Sequence, residues 1–323
     1  MIVVTGGAGF IGSAFVWKLN AERIDDVVIV DDLGTSGKWK NLVNRRYADY
    51  IHKDDFIEMV LADQVPFDVR AVIHMGACSS TTEQDANYLM ENNYRYTQRL
   101  AEWAMHNDIR FIYASSAATY GDGSRGFGDD DGLTKTLKPI NMYGYSKQVF
   151  DLWALRTGAV KRMAGIKFFN VFGPNEYHKG DMTSVIFKSF HQIRETGRVR
   201  LFKSYKAPYG DGGQMRDFVY IKDCVDVLWW LLIHRDVCGI YNLGTAHART
   251  WNDLVNAVYS AMGVTPAIDY IEMPETIRNH YQYFTEAKME KLRAAGCEAQ
   301  FLALEDAVRD YVVNHLQKDD PHL

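Results

Sequence analysis

The first twelve residues constrain the fold more than any other stretch of the sequence. They read Met1-Ile-Val-Val-Thr-Gly-Gly-Ala-Gly-Phe-Ile-Gly12, a short apolar run followed by glycines that include Gly6, Gly9 and Gly12. The apolar run predicts a buried strand, and the four-residue spacing of Ile11, Phe15 and Leu19 predicts a helix that begins near Ile11. Glycine suits the turn between them because the backbone there bends sharply and can approach a phosphate closely.

An acidic residue after the next strand completes the pattern of a dinucleotide-binding unit. Val27-Val-Ile-Val30 predicts that strand, and Asp31 follows it, about 20 positions after the glycines. The free N–H groups and the positive end of the helix would then face the phosphates of the ligand. A glycine-rich turn alone is weak support, but strand, turn, helix and acid in this order predict a site for a nicotinamide dinucleotide.

Length and composition exclude several other classes of protein. The net charge of −5 and the isoelectric point near 6.1 argue against nucleic acid or an anionic membrane as the main partner. The four cysteines are scattered without a CxxC spacing, so neither a metal site nor a disulfide framework is predicted. With no signal-peptide core and no apolar run of ~18 residues, we expect a cytoplasmic protein without a membrane span.

The chain alternates strands and helices through its first half, which predicts parallel βαβ units. We therefore expect an α/β fold: a doubly wound parallel Rossmann sheet with a second, smaller mixed α/β substrate lobe. At 323 residues the chain exceeds the size of a typical single core. We place the dinucleotide-binding domain at residues 1–172, with a return of the chain to it at about 217–250. The mainly substrate-binding lobe is placed at residues 173–323.

Tyr143-Gly-Tyr-Ser-Lys147 is the second informative motif. Residues four apart share one face of a helix, so Tyr143 and Lys147 would point the same way. A phenol that acts as a base near pH 7 needs a pKa lowered by roughly 3 units, and a neighbouring ammonium would supply part of that shift. Ser116 ends a predicted strand 27 residues earlier and could hold a substrate oxygen beside the phenol. The three side chains predict a hydride-transfer site.

The order and spacing of TGGAGFIG, SSAATYG and YGYSK resemble the extended short-chain dehydrogenase superfamily, whose members act on nucleotide sugars. Further stretches narrow the resemblance: GACSSTT at 76–82, FNVFGP at 169–174, EYHKG at 176–180, RDFV at 216–219 and YQYFT at 281–285. With these the chain is similar, over essentially its whole length, to the ADP-L-glycero-D-manno-heptose 6-epimerase family. The resemblance implies bound NADP and a homo-oligomer, with a pentamer expected. It also implies inversion of the C6 carbinol of an ADP-heptose destined for the lipopolysaccharide inner core.

The resemblance also implies roles for individual residues. Tyr143 and Lys179 would be the acid/base pair, Lys147 would hold the nicotinamide ribose, and Ser116 would assist at the reacting oxygen. The implied cofactor contacts are Gly6, Gly9, Phe10, Ile11, Gly12, Asp31, Asp32, Lys38, Lys53, Met75, Gly76, Ala77, Cys78, Ser79, Asn92, Lys147 and Val171. The implied substrate contacts are Asn170, Asp181, Lys188, Phe202, Lys203, Ser204, Tyr205, Arg216 and Tyr281. No metal is implied.

Three positions depart from the pattern of that family. Asp32 stands where an asparagine would lie beside the 2′-phosphate of NADP, so NAD is a possible cofactor as well. Asp181 and Lys188 stand where a serine and a histidine are expected in the sugar pocket, and the new acid and base could compensate each other.

Two other functions stay open from the sequence. A UDP-sugar 4-epimerase or a related nucleotide-sugar dehydrogenase would use the same motifs. A non-catalytic redox sensor would keep the glycines and lose the chemistry, and the presence of Ser116, Tyr143 and Lys147 argues against it. A dehydratase needs an acid beside the catalytic hydroxyl, where this chain has Ala117-Ala118.

Overall fold

The computed structural model describes residues 1–278 and 281–323, without the side chains of 276 and 277. Its strands are β1 Ile2–Thr5, β2 Val27–Asp31, β3 Asp49–His52, β4 Ala71–His74, β5 Arg110–Ser116, β6 Met163–Phe168, β7 Asn170–Phe172, β8 Val199–Phe202, β9 Met215–Tyr220, β10 Gly239–Leu243, β11 Ala248–Thr250 and β12 Ile268–Ile271. Its α-helices are α1 Phe10–Ala21, α2 Lys53–Leu61, α3 Ala86–Leu89, α4 Tyr96–His106, α5 Asp131–Thr134, α6 Met142–Thr157, α7 Val185–Thr196, α8 Ile221–Ile233, α9 Trp251–Met262, α10 Glu275–Arg278, α11 Glu290–Ala294 and α12 Leu304–Tyr311.

Seven parallel strands form the main sheet, in the order β10-β6-β5-β4-β1-β2-β3. The order reverses between β1 and β4, and ligands of such sheets bind in the crevice at the carboxyl ends of the strands at this point. The turn after β1 and the loop after β4 therefore meet at the place where the sequence predicted the dinucleotide. The expected doubly wound parallel sheet is confirmed.

Two apolar cores cover the two faces of this sheet. Because successive side chains of a strand point to opposite faces, Val4 and Ile73 pack in one core while Val3 and Val72 pack in the other. The first core contains α1 and α8, and the second contains α2, α4 and α6. Burial on both faces explains why these strands are continuous apolar runs in the sequence.

Two small sheets lie outside the main one. In one of them β9 pairs in parallel with β7 and antiparallel with β11, and in the other β8 pairs in parallel with β12. They form the smaller mixed part of the α/β fold. The sequence did not predict β3, β7, β8, β11 or β12, each of which has only three or four residues. The domain boundary at 172/173 stays a prediction.

The helical predictions hold, with local differences. The helix predicted at 87–106 consists of α3, a π-helical segment at Met90–Arg95 and α4. The stretch 121–139, predicted as a loop, contains the short α5, and the 34–40 loop runs into a 3₁₀ turn at Lys38–Leu42. Over the described residues, no helix is long and apolar enough to cross a membrane.

Candidate active site

The glycine turn after β1 brings backbone closer to backbone than any side chain would allow. Gly6 has φ +64°, and a Cβ there would lie 2.6 Å from the backbone of Gly76, which follows β4. A Cβ on Gly12 would lie 2.1 Å from the carbonyl oxygen of Gly6. The glycines therefore let the start of α1 close against the turn.

The start of α1 is built to receive an anion. Its N-cap, Gly9, offers no side-chain hydrogen bond, and the first turn carries no acidic residue. The first N–H groups of α1 are therefore free to donate at the positive end of the helix. Such a helix start can bind the pyrophosphate of a dinucleotide. The residues present therefore fit the cofactor that the sequence predicts.

The carboxylate of Asp31 holds the glycine turn in place. It accepts hydrogen bonds from the N–H of Ala8 at 2.8 Å and from that of its neighbour Asp32 at 2.8 Å, and it pairs with Lys38 Nζ at 2.6 Å. The Lys38 ammonium thus neutralises the acid at the end of β2. Asp32 is half exposed and accepts from the N–H of Gly34, and Lys53 pairs with Asp54 at 2.7 Å.

Tyr143, Lys147 and Ser116 all line one cavity. Asn141 caps α6 by accepting from the N–H of Gly144 at 2.7 Å, which fixes the first turn where Tyr143 lies. Lys147 Nζ, one turn later, donates to the carbonyl of Ala114 at 2.8 Å. An ammonium has three N–H bonds, so two remain for a ligand.

The pKa of Tyr143 is not lowered as the sequence predicted. Burial raises the pKa of the Tyr143 phenol, while the neighbouring Ser116 side chain acts in the opposite direction. Lys147 is not among the groups that shift the Tyr143 pKa, so the expected lowering by this lysine is not seen. Burial lowers the pKa of Lys147 itself to about 8, with the charge of Asp151 acting against that shift.

Lys179 lies in a 3₁₀ turn, Tyr177–Met182, and lines the same cavity. Its Nζ is 5.1 Å from the centre of the Phe10 ring. Burial lowers the pKa of Lys179, Glu176 raises it and Lys188 lowers it again. This side chain is therefore not a solvated surface lysine.

The cavity has a volume of about 640 Å³ and brings most of the predicted cofactor contacts together. Those that line it are Gly6, Gly9, Phe10, Ile11, Gly12, Asp31, Lys38, Met75, Ala77, Ser79, Lys147 and Val171. Asp32, Lys53, Gly76, Cys78 and Asn92 are predicted contacts that do not line it. Among the described residues that line the cavity, Asp31 is the only one with a carboxylate.

The predicted substrate contacts divide into groups. Asn170 lines the main cavity. Arg216 is buried, with its guanidinium 5.3 Å from the centre of the Tyr281 ring and 5.8 Å from that of Trp251, a cavity residue. Trp251 Nε1 in turn donates to the Tyr281 hydroxyl at 3.0 Å. Within the described residues Arg216 has no acidic partner, so an ordinary salt bridge does not account for this buried cation.

The remaining substrate candidates lie outside the main cavity. Lys203 pairs with the exposed Glu272 at 2.7 Å, and the Tyr205 ring lies 3.8 Å from the guanidinium of Arg278. The N–H of Ser204 donates to Asp211; Phe202 ends β8. Lys188 Nζ donates to the backbone carbonyl of Asp181 at 2.6 Å rather than to its carboxylate. The expected compensation between that acid and that base is therefore not seen.

Several polar residues that organise the site carry no sequence motif. Asn93 is buried and bonds both the N–H and the carbonyl of Cys78 at 2.9 Å, which fixes the loop after β4. Asp151 and Lys167 form an ion pair at 2.8 Å with both side chains fully buried, and Asp151 also accepts from Ser115. Only their spacing from recognised residues could have suggested them: Asp151 lies four residues after Lys147 and Ser115 precedes Ser116.

A glycine cradle, an open helix start and a Ser–Tyr–Lys group in one cavity are the features of a dinucleotide-dependent enzyme acting on a hydroxyl-bearing substrate. Residues 2–244 match the NAD dependent epimerase/dehydratase family, and the chain belongs to it. The chain is 62% identical to the ADP-L-glycero-D-manno-heptose-6-epimerase of Nitratidesulfovibrio vulgaris strain Hildenborough, over 323 residues and 100% of both chains. The resemblance drawn from the motifs is thereby confirmed.

Solved structures agree. The ADP-L-glycero-D-manno-heptose-6-epimerase of Helicobacter pylori matches with a TM-score of 0.79 at 26% identity, over 97% of this chain and 95% of the other. The UDP-glucose 4-epimerase of Thermus thermophilus, solved with NAD, matches with a TM-score of 0.75 at 25% identity, over 97% of both chains. The fold is thus shared by epimerases with different sugars.

Proposed function

We propose that this chain inverts the C6 carbinol of ADP-D-glycero-D-manno-heptose to give ADP-L-glycero-D-manno-heptose. The observation that carries the proposal is the single cavity that joins the dinucleotide cradle to Ser116, Tyr143, Lys147 and Lys179. The choice of sugar is supported by the 62% identity to a full-length relative of that name, against 25% to the UDP-glucose 4-epimerase.

The protein residues divide the work of inversion. A bound dinucleotide would supply the site that takes up the hydride of C6 and gives it back. When the carbonyl is reduced, Tyr143 donates a proton to the substrate oxygen, and its raised pKa keeps it in the phenol form that can do so at neutral pH. The O–H proton released in the oxidation passes to a second proton-transfer group. Lys147 would hold the nicotinamide ribose with its two free N–H bonds, and Ser116 would bond the reacting oxygen. Arg216, a buried cation with no acidic partner among the described residues, would pair with the diphosphate.

Inversion also requires a second proton-transfer group. The substrate carbonyl must present both faces to a fixed hydride donor, so its oxygen occupies two positions, and one phenol does not reach both within ~3 Å. Lys179 is assigned to the second position, since burial lowers its pKa towards the range in which an amine can accept a proton.

The same site makes dehydration a poor alternative. Elimination of water needs an acid near the reacting carbon, whereas Ala117 and Ala118 follow Ser116 in the cavity wall. Asp31, the one carboxylate among the described cavity residues, is held at the glycine turn by Ala8 and Lys38.

The cofactor, assembly and place of the reaction belong to the same proposal. Lys38 pairs with Asp31, the acid that ends β2, and its positive charge there favours a 2′-phosphate, so we assign NADP as the preferred cofactor, with NAD also accepted. We further propose a homo-oligomer, with a pentamer expected, that works in the cytoplasm in synthesis of the lipopolysaccharide inner core.

The test is proton NMR of ADP-D-glycero-D-manno-heptose incubated with the purified protein and no added cofactor. We expect the L-glycero isomer to accumulate, because oxidation and reduction cancel and the bound dinucleotide is regenerated. UDP-glucose is incubated in parallel. Conversion of UDP-glucose to UDP-galactose without change in the heptose would assign the 4-epimerase function instead. No turnover of either sugar by cofactor-loaded protein would favour a redox sensor.

Lys179→Met tests the two-base assignment. We expect a fall in epimerisation of at least ~10²-fold, the usual contribution of a positioned acid or base. An aldehyde-level substrate analogue separates the two hydride transfers, because its dismutation requires one oxidation and one reduction. The matched control is Lys288→Met, which changes an exposed lysine that pairs with Glu286. Wild-type rates of both epimerisation and dismutation in Lys179→Met would remove Lys179 from the chemistry.

A further inference from the structure

Residues 173–184, between β7 and α7, form the Lys179 loop, which contacts the glycine turn on one side and α7 and α12 on the other. Glu176, three residues before Lys179, is buried and accepts from the Ser184 hydroxyl at 2.6 Å and from the Tyr311 hydroxyl of α12 at 3.0 Å. That contact fixes the loop on the side of α7 and α12. On the opposite side the loop faces the start of α1.

Asn41 makes the contact with the cofactor side. It lies in the 3₁₀ turn after β2 and is 2% exposed. Its side-chain amide donates to the carbonyl of Ala8, in the glycine turn, at 2.9 Å, and to the carbonyl of Asn175, in the Lys179 loop, at 3.0 Å. The same amide nitrogen lies 3.3 Å from Nδ1 of His178, the residue before Lys179. One side chain thus ties the two loops together.

Asn175 adds a second contact of the same kind. It is fully buried with φ +76°, a conformation that asparagine tolerates better than most residues. Its side-chain amide donates to the hydroxyl of Ser13 on α1 at 2.9 Å. Four residues further on, Lys179 Nζ lies over the ring of Phe10, also on α1.

These contacts form a continuous path from the ribose end of the cofactor site to Lys179. Lys38 pairs with Asp31, Asp31 accepts from the N–H of Ala8, and the carbonyl of Ala8 accepts from Asn41. Asn41 then donates to Asn175 in the Lys179 loop. The position of the lysine is therefore set by the same turn that would hold the pyrophosphate.

We infer that Asn41 is a positioning residue for Lys179, with Asn175 and Ser13 as its support. The inference rests on the proposed role of Lys179. It assigns to Asn41 the task of holding the second acid/base in register with the cofactor, so that both positions of the substrate oxygen are served. Asn41 need not contact the substrate for this role.

The test is a double-mutant cycle of Asn41→Leu with Lys179→Met in the full-length, cofactor-loaded protein. If Asn41 acts through Lys179, Asn41→Leu lowers kcat roughly tenfold to a hundredfold in the otherwise wild-type protein, with the KM for the ADP-sugar unchanged. In the Lys179→Met background the same substitution lowers kcat less than about twofold. Equal losses in the two backgrounds would overturn the inference and leave Asn41 a purely structural residue.

Two further variants keep the result interpretable. Ser13→Ala removes the acceptor of the Asn175 amide with a smaller change of volume, and it carries the same test if Asn41→Leu does not fold. Asn20→Leu is the matched control, since Asn20 is a buried asparagine on α1 that bonds Ile24 and Arg46, away from the Lys179 loop. We expect its effect on kcat to be the same in both backgrounds. Wild-type activity of Lys179→Met alone would instead refute the two-base proposal on which the inference rests.

Discussion

The carboxylate of Asp31 is committed to the protein in this fold. It accepts from Ala8 and Asp32 and pairs with Lys38, so its charge is already compensated next to the expected ribose. Asp32 differs, because its side chain is 53% exposed and the ring of His52 lies 3.8 Å away, beyond hydrogen-bond distance. The repulsion of a 2′-phosphate therefore comes mainly from Asp32.

Asp32→Asn should strengthen NADP binding relative to NAD. The amide keeps the oxygen that accepts from Gly34, while removing one exposed charge near a phosphate is expected to change the ratio of the two dissociation constants about fivefold. Titration of each cofactor at fixed salt measures this ratio. Asp49→Asn is the matched control. Asp49 is an exposed aspartate at the start of β3, the end away from His52, and its carboxylate accepts from the N–H of Tyr50. An unchanged ratio in Asp32→Asn would show that Asp32 does not face the phosphate.

Tyr143→Phe should fold and bind cofactor but lose at least ~10²-fold in turnover. The substitution removes only the hydroxyl, and the helix cap at Asn141 is untouched. Turnover is measured on the ADP-heptose, and folding by circular dichroism. Tyr145→Phe is the matched control, because Tyr145 is on the same helix but 48% exposed. Near-normal turnover by well-folded Tyr143→Phe would exclude the phenol from the mechanism.

The sequence predicted the residues whose chemistry depends on local spacing. Glycines three apart and a tyrosine one turn before a lysine are local patterns, and the structure places all of them around one cavity. The predicted lowering of the Tyr143 pKa by Lys147 is not seen. The acceptor of Lys147 Nζ, the carbonyl of Ala114, is distant in the sequence, so no local spacing predicts it. Asn41 and Asn93 were missed for the same reason. Each is a single polar residue whose partners are distant in the sequence.

At the scale of elements, α6 links the site to the core of the sheet. Tyr143, Lys147 and Asp151 follow each other at one-turn spacing along this helix. Asp151 bonds Ser115 and Tyr113 of β5 and pairs with Lys167 of β6. The helix that carries the phenol is therefore fixed to the two strands beneath it by a buried charge pair.

Breaking this pair from one side should be costly. Lys167→Met leaves the Asp151 carboxylate buried without its cation, and we expect the free energy of unfolding to fall by about 3–5 kcal/mol. Asp151→Leu combined with Lys167→Met should cost less than the sum of the two single changes, since no isolated charge remains. Urea unfolding at constant pH measures all three. Lys222→Met is the control, because the Lys222–Asp310 pair is partly exposed and should contribute about 1 kcal/mol or less. Equal costs for Lys167 and Lys222 would contradict the argument.

The elements that the sequence missed share a physical cause. The strands β7, β8, β11 and β12 have three or four residues and are only partly buried, so none shows a long apolar run, and the alternation of β8 extends over only four residues. Their pairing is decided by tertiary contacts. The strands of the main sheet other than β3 are buried on both faces, and they were predicted because that burial requires consecutive apolar residues.

At the scale of the whole molecule, the chain passes from the region of the main sheet to the region of the two small sheets and back again. β10, the last strand of the main sheet, follows β7, β8 and β9 in sequence although these belong to the small sheets. One continuous core also contains Phe15 of α1 together with Val258 of α9 and Tyr311 of α12. Neither region closes its core without residues from the other.

We therefore expect one unfolding transition for the whole chain, and cofactor should shift all of it. At a free NADP concentration of about 100 times the dissociation constant, binding adds about 2.7 kcal/mol to the free energy of unfolding, which raises the Tm by a few degrees. Calorimetry with and without NADP measures both features.

In Gly12→Ala the new Cβ would lie 2.1 Å from the Gly6 carbonyl, so the turn is distorted and the NADP-induced shift is lost. Gly210→Ala, where a Cβ meets nothing within 4 Å, should keep the full shift. Two separate transitions, of which NADP moves only one, would show that the regions unfold independently and that the shared core does not couple them.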